Sequence, residues 1–378
     1  MKVYFDNAAT TPIADEVIEA MAQVMKANYG NPSSIHSHGR EARTIIEEAR
    51  KKVATLINAA PSEIFFTSGG TEADNMAIRC AVEDLGVKNI ISSKIEHHAV
   101  LHTVEEMDAK GKAKAHFVKL TDKGHIDMTD LERLLKENDN VLVSLLHANN
   151  ELGNMLDINA VGELCEEHNA IFHCDTVQTM GHYKFDMQNC KAHLLTCAAH
   201  KLNGPKGIGF LYMCSDVKLK PLITGGSQER NMRGGTVNVY GIVGLAKSLE
   251  IAYRDYDKEK ASISELKQYM IDQLIANIPG VQFNGDTDPE HSLYTVLNAS
   301  FPPSPVAEML LFRLDIDGIS ASGGSACSSG SDVGSHVLTG IGADPARPSV
   351  RFSFGKQNTK ADVDFTVTKL KEILAVPA

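Results

Sequence analysis

Between about residues 63 and 213 the chain alternates short apolar runs with longer stretches of helical spacing. The runs are EIFFT, NIISS, VLVSLLH, AIFHCD, HLLTCAA and IGFLYM. Each is apolar on both faces of an extended chain, which suits strands of a mainly parallel sheet covered by helices on both sides. This stretch therefore predicts an α/β unit. Past residue 250 the pattern changes. A long charged helix is predicted over roughly 256–277, followed by strand-like LYTVLNASF, amphipathic VAEMLLFRLDI, a loop rich in Gly and Ser, strand-like SVRFSF and a closing helix. A smaller α+β unit fits this part.

In open α/β sheets ligands bind beyond the carboxyl ends of the strands, and polar residues collect at those ends here. SGGTEADN follows the first run, KIEHHAV the second, ANNE the third and DTVQ the fourth, while the fifth ends in His200-Lys201. Five successive strand ends thus offer carboxylate, amide, imidazole and amine groups to one crevice.

Ser68-Gly69-Gly70-Thr71 lies between a strand and a helical stretch, so its backbone N–H groups and the helix N-terminus suit a phosphate. A tight strand-to-helix turn capped by Thr71 accounts for the segment equally well. Neither the nucleotide P-loop pattern nor the dinucleotide GxGxxG pattern is present. Lys201 follows a buried-looking strand and precedes the loop NGPKG. A lysine at such a strand end loses its proton through desolvation more readily than a surface lysine and is then able to form a Schiff base. Asp175 complements it, because pyridoxal 5′-phosphate (PLP) chemistry needs a carboxylate against the pyridine nitrogen. An N-cap of a following helix is the alternative role for Asp175.

Composition narrows the setting. The 378 residues are 43% hydrophobic and 22% charged, an ordinary globular balance, and the length exceeds what one hydrophobic core usually supports. The formal net charge of −11, without clustered Lys and Arg, argues against nucleic-acid partners. MKVYFDNAATTP turns polar within a few residues and no apolar run reaches the ~20 residues of a membrane span, so a cytoplasmic protein without membrane association is expected. Seven cysteines (80, 165, 174, 190, 197, 214 and 327) show no CxxC pair and no zinc spacing, so no metal is expected. Six sit in or beside apolar or helical stretches, where a thiol is usually an inert small hydrophobe. Cys327, in SASGGSACSSGSDVGSHVL, sits where an apolar side chain cannot be buried. An exposed thiol there is either a used nucleophile or incidental to a Gly/Ser loop.

Motifs along nearly the whole chain carry a more specific signal: YFDNAATTP, NPSSIHSHG, FFTSGGTEADN, KIEHHAVL, HANNELG, DTVQTMG, AHKLNGPKGIGFLY, QERNMRGGTVN, SGGSACSSGS and SVRFSFG. Together and in this order they resemble the cysteine desulfurases of the nitrogen-fixation and iron–sulfur housekeeping type, which are aminotransferase class V, fold-type I PLP enzymes. The resemblance implies a large PLP-binding α/β domain over 14–255 with a mainly parallel seven-stranded sheet. It also implies a small α+β domain built from 1–13 and 256–378 that carries the cysteine loop. Lys201 would hold the cofactor as a Schiff base and His97 would stack on its ring and shuttle protons. Asp175 would pair with the pyridine nitrogen and Gln178 with the phenolic oxygen. Gly70, Thr71 and His200 would hold the phosphate, with Thr236 reaching in from a second subunit of a homodimer. Asn150, beside the cofactor, and Arg351 would grip the carboxylate of L-cysteine. Cys327 would take its sulfur as a persulfide, for delivery to an acceptor such as an iron–sulfur scaffold or carrier.

Two departures from the family pattern stand out. Ala198 occupies a position where a serine is common, removing one hydrogen bond to the phosphate, and the chain ends at Ala378 where relatives often carry a longer tail that touches a scaffold. The competing readings are a selenocysteine lyase or aminotransferase on the same fold, and a binding protein that has lost catalysis. A thiol in a Gly/Ser-rich loop argues against transamination, and the intact set Lys201, Asp175, His97 and Cys327 argues against a pure binding role.

Overall fold

The structure, a computed structural model, describes residues 1–304, 309–323 and 334–375. The N-terminal part runs β1 (Val3–Tyr4), α1 (Asp15–Ala27), α2 (Ser37–Leu56), β2 (Ile64–Thr67), α3 (Gly70–Asp84), β3 (Asn89–Ser92), α4 (His98–Ala109) and β4 (Lys114–Phe117). The middle adds α5 (Met128–Glu137), β5 (Val141–Leu146), α6 (Ile158–Glu167), β6 (Ile171–Asp175), β7 (Leu194–Ala198), β8 (Gly209–Met213) and α7 (Val239–Arg254). The remainder contains α8 (Tyr256–Asn277), β9 (Gln282–Asn284), β10 (Val296–Ser300), α9 (Leu310–Ile316), β11 (Ile319–Ser320), α10 (His336–Gly340), β12 (Ser349–Ser353) and α11 (Lys360–Leu374).

All six apolar runs are strands of one seven-stranded sheet, in the order β2-β8-β7-β6-β5-β3-β4. Every pairing is parallel except those of β8, which lies antiparallel to both β7 and β2. The seventh strand, β4, is an edge strand of sequence KAHF with no fully buried residue, so it lacks the run of apolar residues that marks the others. Strand β5, by contrast, is buried at every position. Several helices begin where side chains supply acceptors for their first N–H groups. Asp127 accepts from Thr129 and Asp130 N–H at 3.0 and 3.2 Å to start α5, and Asp157 does the same for α6. Thr359 and Asp362 form a reciprocal capping box on α11.

Two large apolar clusters result. The first lies on the central sheet and includes Ile64, Phe66, Val143, Phe172, Leu195 and Phe210 against helices α2 and α7. The second joins Val3 and Phe5 to α8, β10, β12 and α11 through residues such as Met270, Leu297, Phe352 and Leu370. Around it β12, β10 and β9 form an antiparallel sheet, and β1 pairs with β11. The N-terminal segment ends in this second cluster, yet Asp6 bridges Ser353 and Thr11 N–H donates to His200 C=O at 2.9 Å. Residues 6–11 are therefore tied both to β12 and to the end of β7.

Candidate active site

The carboxyl ends of β5, β6 and β7, the N-terminus of α3 and the chain around Ala8 surround a cleft of about 220 Å³. Gly70, Thr71, His97, Asn150, Asp175, Gln178, His200, Lys201 and Arg351 all line it. Residues drawn from seven sequence segments thus meet at the strand ends, where an α/β sheet presents its ligands.

Lys201 ends a single helical turn directly after β7, and its ammonium donates to the carbonyl oxygens of Ala8 and Ala9, the second at 2.8 Å. Gln178 Nε2 donates to the same Ala8 carbonyl at 3.1 Å. Asp175 closes β6 and accepts from Val177 N–H at 2.9 Å, which turns the chain without starting a helix, so its capping alternative does not hold. Burial, and then the nearby Asp74 carboxylate, make its carboxyl a weaker acid and push its pKa up to about 8. His97 N-caps α4: its Nδ1 accepts from Ala99 N–H at 3.2 Å, leaving Nε2 to carry the proton of a neutral ring. Burial, followed by the Lys201 charge, lowers the basicity of His97 to about 4. The same two causes hold His200 near about 4, and its Nδ1 lies 3.2 Å from Thr10 Oγ1. Both imidazoles are neutral at pH 7.

Helix α3 begins at Gly70 with Gly69 as N-cap and no side-chain cap, so Thr71 lies inside the helix and does not cap it. Its backbone ladder starts with Ala73 N–H to Gly69 C=O at 3.2 Å, which places the N–H groups of residues 70–72 ahead of the ladder at the cleft wall. A Cβ on Gly70 would stand 2.8 Å from Val177 Cγ2, so a side chain there would displace the turn that carries Asp175. Arg351 is buried on β12. Its Nη1 donates to Asn150 C=O at 2.9 Å and its Nη2 to Asp6 Oδ1 at 2.8 Å, while its buried Nε has no partner.

Thr236 is expected to serve the site of a second subunit. Thr236 is exposed on the loop before α7 and does not line this cleft. The loop is anchored upstream, where Arg50 makes a bidentate buried ion pair with Glu229 at 2.8 Å and Phe66 N–H donates to the same carboxylate. Glu229, Arg230 and Asn231 all have positive φ, between 44° and 66°. Cys327 lies outside the described residues. The six other cysteines are unpaired, and burial raises all their thiols, those of Cys80 and Cys165 to about 12. They are poor nucleophiles.

The sequence reading missed Asp74, which lines the cleft, and Asp6, which pairs with Arg351. The spacing of Gly70 and Asp74, one helical turn apart on α3, is the signal that places Asp74 on the cleft face.

Residues 3–365 match the Aminotransferase class-V family. The chain belongs to that family. Among relatives of this class-V protein, "Putative cysteine desulfurase IscS 1" of Bacillus subtilis is 44% identical over 99% of this chain and 98% of its own length. "Cysteine desulfurase IscS" of Dictyoglomus turgidum is 43% identical over 99% of this chain and 94% of its own. Among solved structures, a NifS-like protein superposes with a TM-score of 0.90 at 36% identity, covering 99% of this chain and 100% of that one. "SspA in complex with cysteine" does so with a TM-score of 0.82 at 32% identity, covering 94% and 99%. The sheet and its companion unit are thus those of fold-type I class-V enzymes.

Proposed function

We propose that this class-V enzyme is a PLP-dependent cysteine desulfurase that converts L-cysteine to L-alanine and leaves the sulfur as a persulfide on Cys327. The observation that carries this reading is the convergence of Lys201, Asp175, His97 and Arg351 on one cleft, in a chain 43% identical to the "Cysteine desulfurase IscS" of Dictyoglomus turgidum.

The donor set fits PLP. The N–H groups at the uncapped start of α3 suit its phosphate, and a buried carboxylate whose ionisation is opposed by its surroundings, Asp175, gains from a cationic ring nitrogen. Asn150, Gln178 and His200 complete the walls, with Thr236 of a second subunit assigned to the phosphate in a homodimer. Bound there, PLP supplies a carbonyl that condenses with amines and a ring that accepts electron density from the substrate α-carbon. Lys201 Nζ is the amine that holds it and, once displaced by substrate, the base that takes the α-proton. Neutral His97 relays protons at Nε2. Arg351 orients the substrate carboxylate, with Asn150 holding the guanidinium through its carbonyl. Cys327 thiolate would then attack the substrate sulfur: an S–S bond forms and the C–S bond breaks with its electron pair kept on carbon, which takes up a proton; return of a proton to the α-carbon and of Lys201 Nζ to its place would then free alanine.

Residues 14–255 and the pair 1–13 with 256–378 are proposed as the large and small domains, supported by the two separate apolar clusters. An acceptor protein must remove the persulfide sulfur. Among the described residues no helix is long and apolar enough to cross a membrane. Six unpaired cysteines support a reducing compartment such as the cytoplasm.

The reaction is tested by incubating the purified enzyme with L-cysteine and a thiol reductant. Equal amounts of alanine and sulfide are expected, whereas a keto acid in place of alanine would identify a transaminase. Two further outcomes follow from the cleft. Ala198 lies beside Gly70, 3.7 Å from where a Cβ on Gly70 would stand, so Ala198→Ser puts a hydroxyl at the α3 N-terminus. PLP should bind about fivefold more tightly, the equivalent of ~1 kcal/mol for one hydrogen bond. Fluorescence titration of cofactor-free protein checks this. Arg351→Lys keeps the charge but loses the fork, so the KM for L-cysteine should rise roughly tenfold, with a smaller change in kcat.

A further inference from the structure

Beneath the Asp175 turn lies a second carboxylate to which the reading above gives no role. Asp74, on α3, is 1% exposed, yet it lines the cleft and its Oδ1 has no hydrogen-bond partner. One ligating atom each from Asp74, Asp175 and His97 lies within 4.8 Å of the others. The near neighbour of Oδ1 is His173 Nε2 at 3.5 Å, and that nitrogen is 3.0 Å from Thr196 Oγ1. His173 Nδ1 in turn lies 2.9 Å from Ser144 Oγ. A layer of β5, β6 and β7 side chains thus holds Asp74 against Asp175 below the strand ends.

A buried carboxylate with an unmet oxygen is costly unless a proton or a cation reaches it. Two of them this close cannot both ionise without a counter-charge. We propose that Asp74 is a positioning residue for the cofactor, acting through Asp175: the two carboxylates share one proton while the cleft lacks PLP and yield it when a pyridine nitrogen arrives against Asp175. In that step a carboxyl O–H bond breaks and an N–H bond forms on the ring. The net charge of carboxylates plus ring is unchanged, and the final state sets two carboxylates against one ring cation. Asp74 therefore strengthens the hold on a protonated ring without touching it. The inference rests on the PLP reading of this cleft.

Burial raises Asp74 from its usual value to about 7, and burial together with Asp74 raises Asp175 to about 8, which fits a shared proton near neutral pH. The other titratable groups facing the pair are His173 and Cys174 on β6, Glu96 after β3, Cys197 on β7, and His97 and Lys201 at the rim. The sign follows from linkage. In the cofactor-free protein Asp74 holds its proton more tightly folded than unfolded, so the stability it contributes is present below about 4 and is lost as pH rises through about 7.

Asp74→Asn removes this titration while keeping the shape. The cofactor-free variant should gain melting temperature relative to cofactor-free wild type as the pH is raised from about 5 to about 8. At pH 8 it should nonetheless bind PLP about tenfold more weakly, and the pH midpoint of the visible band of bound PLP should shift. Asp74→Ala, read in the same two assays, serves if the Asn variant does not fold. A residue that merely fills space would lower the melting temperature by the same amount at every pH, and that result overturns the proposal. A pH-dependent gain in melting temperature with PLP affinity unchanged also overturns it. Wild-type protein that takes up no PLP ends the cofactor reading itself, whereas normal wild-type uptake with an unaltered variant ends this inference alone.

Discussion

Lys201→Ala is expected to yield a protein without the visible absorbance of lysine-bound PLP and with desulfurase turnover reduced by about 10⁴-fold or more, because one amine is both the covalent anchor and the base. The effect follows from position. Lys201 sits at the end of β7 with its ammonium directed to the Ala8 and Ala9 carbonyls inside the cleft, whereas Lys206, five residues on, is exposed and does not line it. Folding should survive, since Lys201 is only partly buried and lies outside both apolar clusters. The checks are an absorbance spectrum and borohydride reduction followed by peptide mapping. A reducible PLP adduct retained by the variant on Lys206 would overturn the assignment.

Cys327→Ala should leave PLP binding and the spectral response to L-cysteine intact while lowering alanine and sulfide release by roughly 10³-fold or more, since the substrate sulfur then has no nucleophile to receive it. No other cysteine can substitute. Cys80, Cys165, Cys174 and Cys197 are buried, and their acidities, like those of the half-buried Cys190 and Cys214, are shifted away from the thiolate. Selenocysteine gives a useful contrast, because its weaker carbon–selenium bond breaks without thiolate attack, and the variant should keep part of its activity on it. Alanine release from L-cysteine at the wild-type rate would remove Cys327 from the mechanism.

The strands of the central sheet were legible in the sequence because helices cover both of its faces, which buries nearly every position of β5, β6, β7 and β8 and makes most of their residues apolar. Strand β4 escaped because an edge strand needs no such run, and β1 and β11 because two residues carry no period. Helix α8 was legible over its length from its long charged pattern. In the site, Lys201 and Asp175 could be found from the rule that function gathers at strand ends. Asp74 left only its one-turn spacing from Gly70 as a signal, since an acidic residue inside a helix ordinarily faces water, and the packing of α3 on the sheet is what buries it. The Ala8 and Ala9 carbonyls and Asp6 were hidden for a different reason. Backbone acceptors leave no mark in a side-chain pattern, and Asp6 meets Arg351 across 345 positions of sequence.

The most direct test of sulfur transfer to Cys327 is a single turnover without reductant, in which PLP-loaded enzyme meets one equivalent of L-cysteine and alanine is counted while the intact protein and its peptides are weighed. The expected result is one alanine per active site and the added mass of one sulfur atom on the peptide that contains Cys327. Alanine formed with no added sulfur on that peptide, or sulfur found on a different cysteine, would contradict the account.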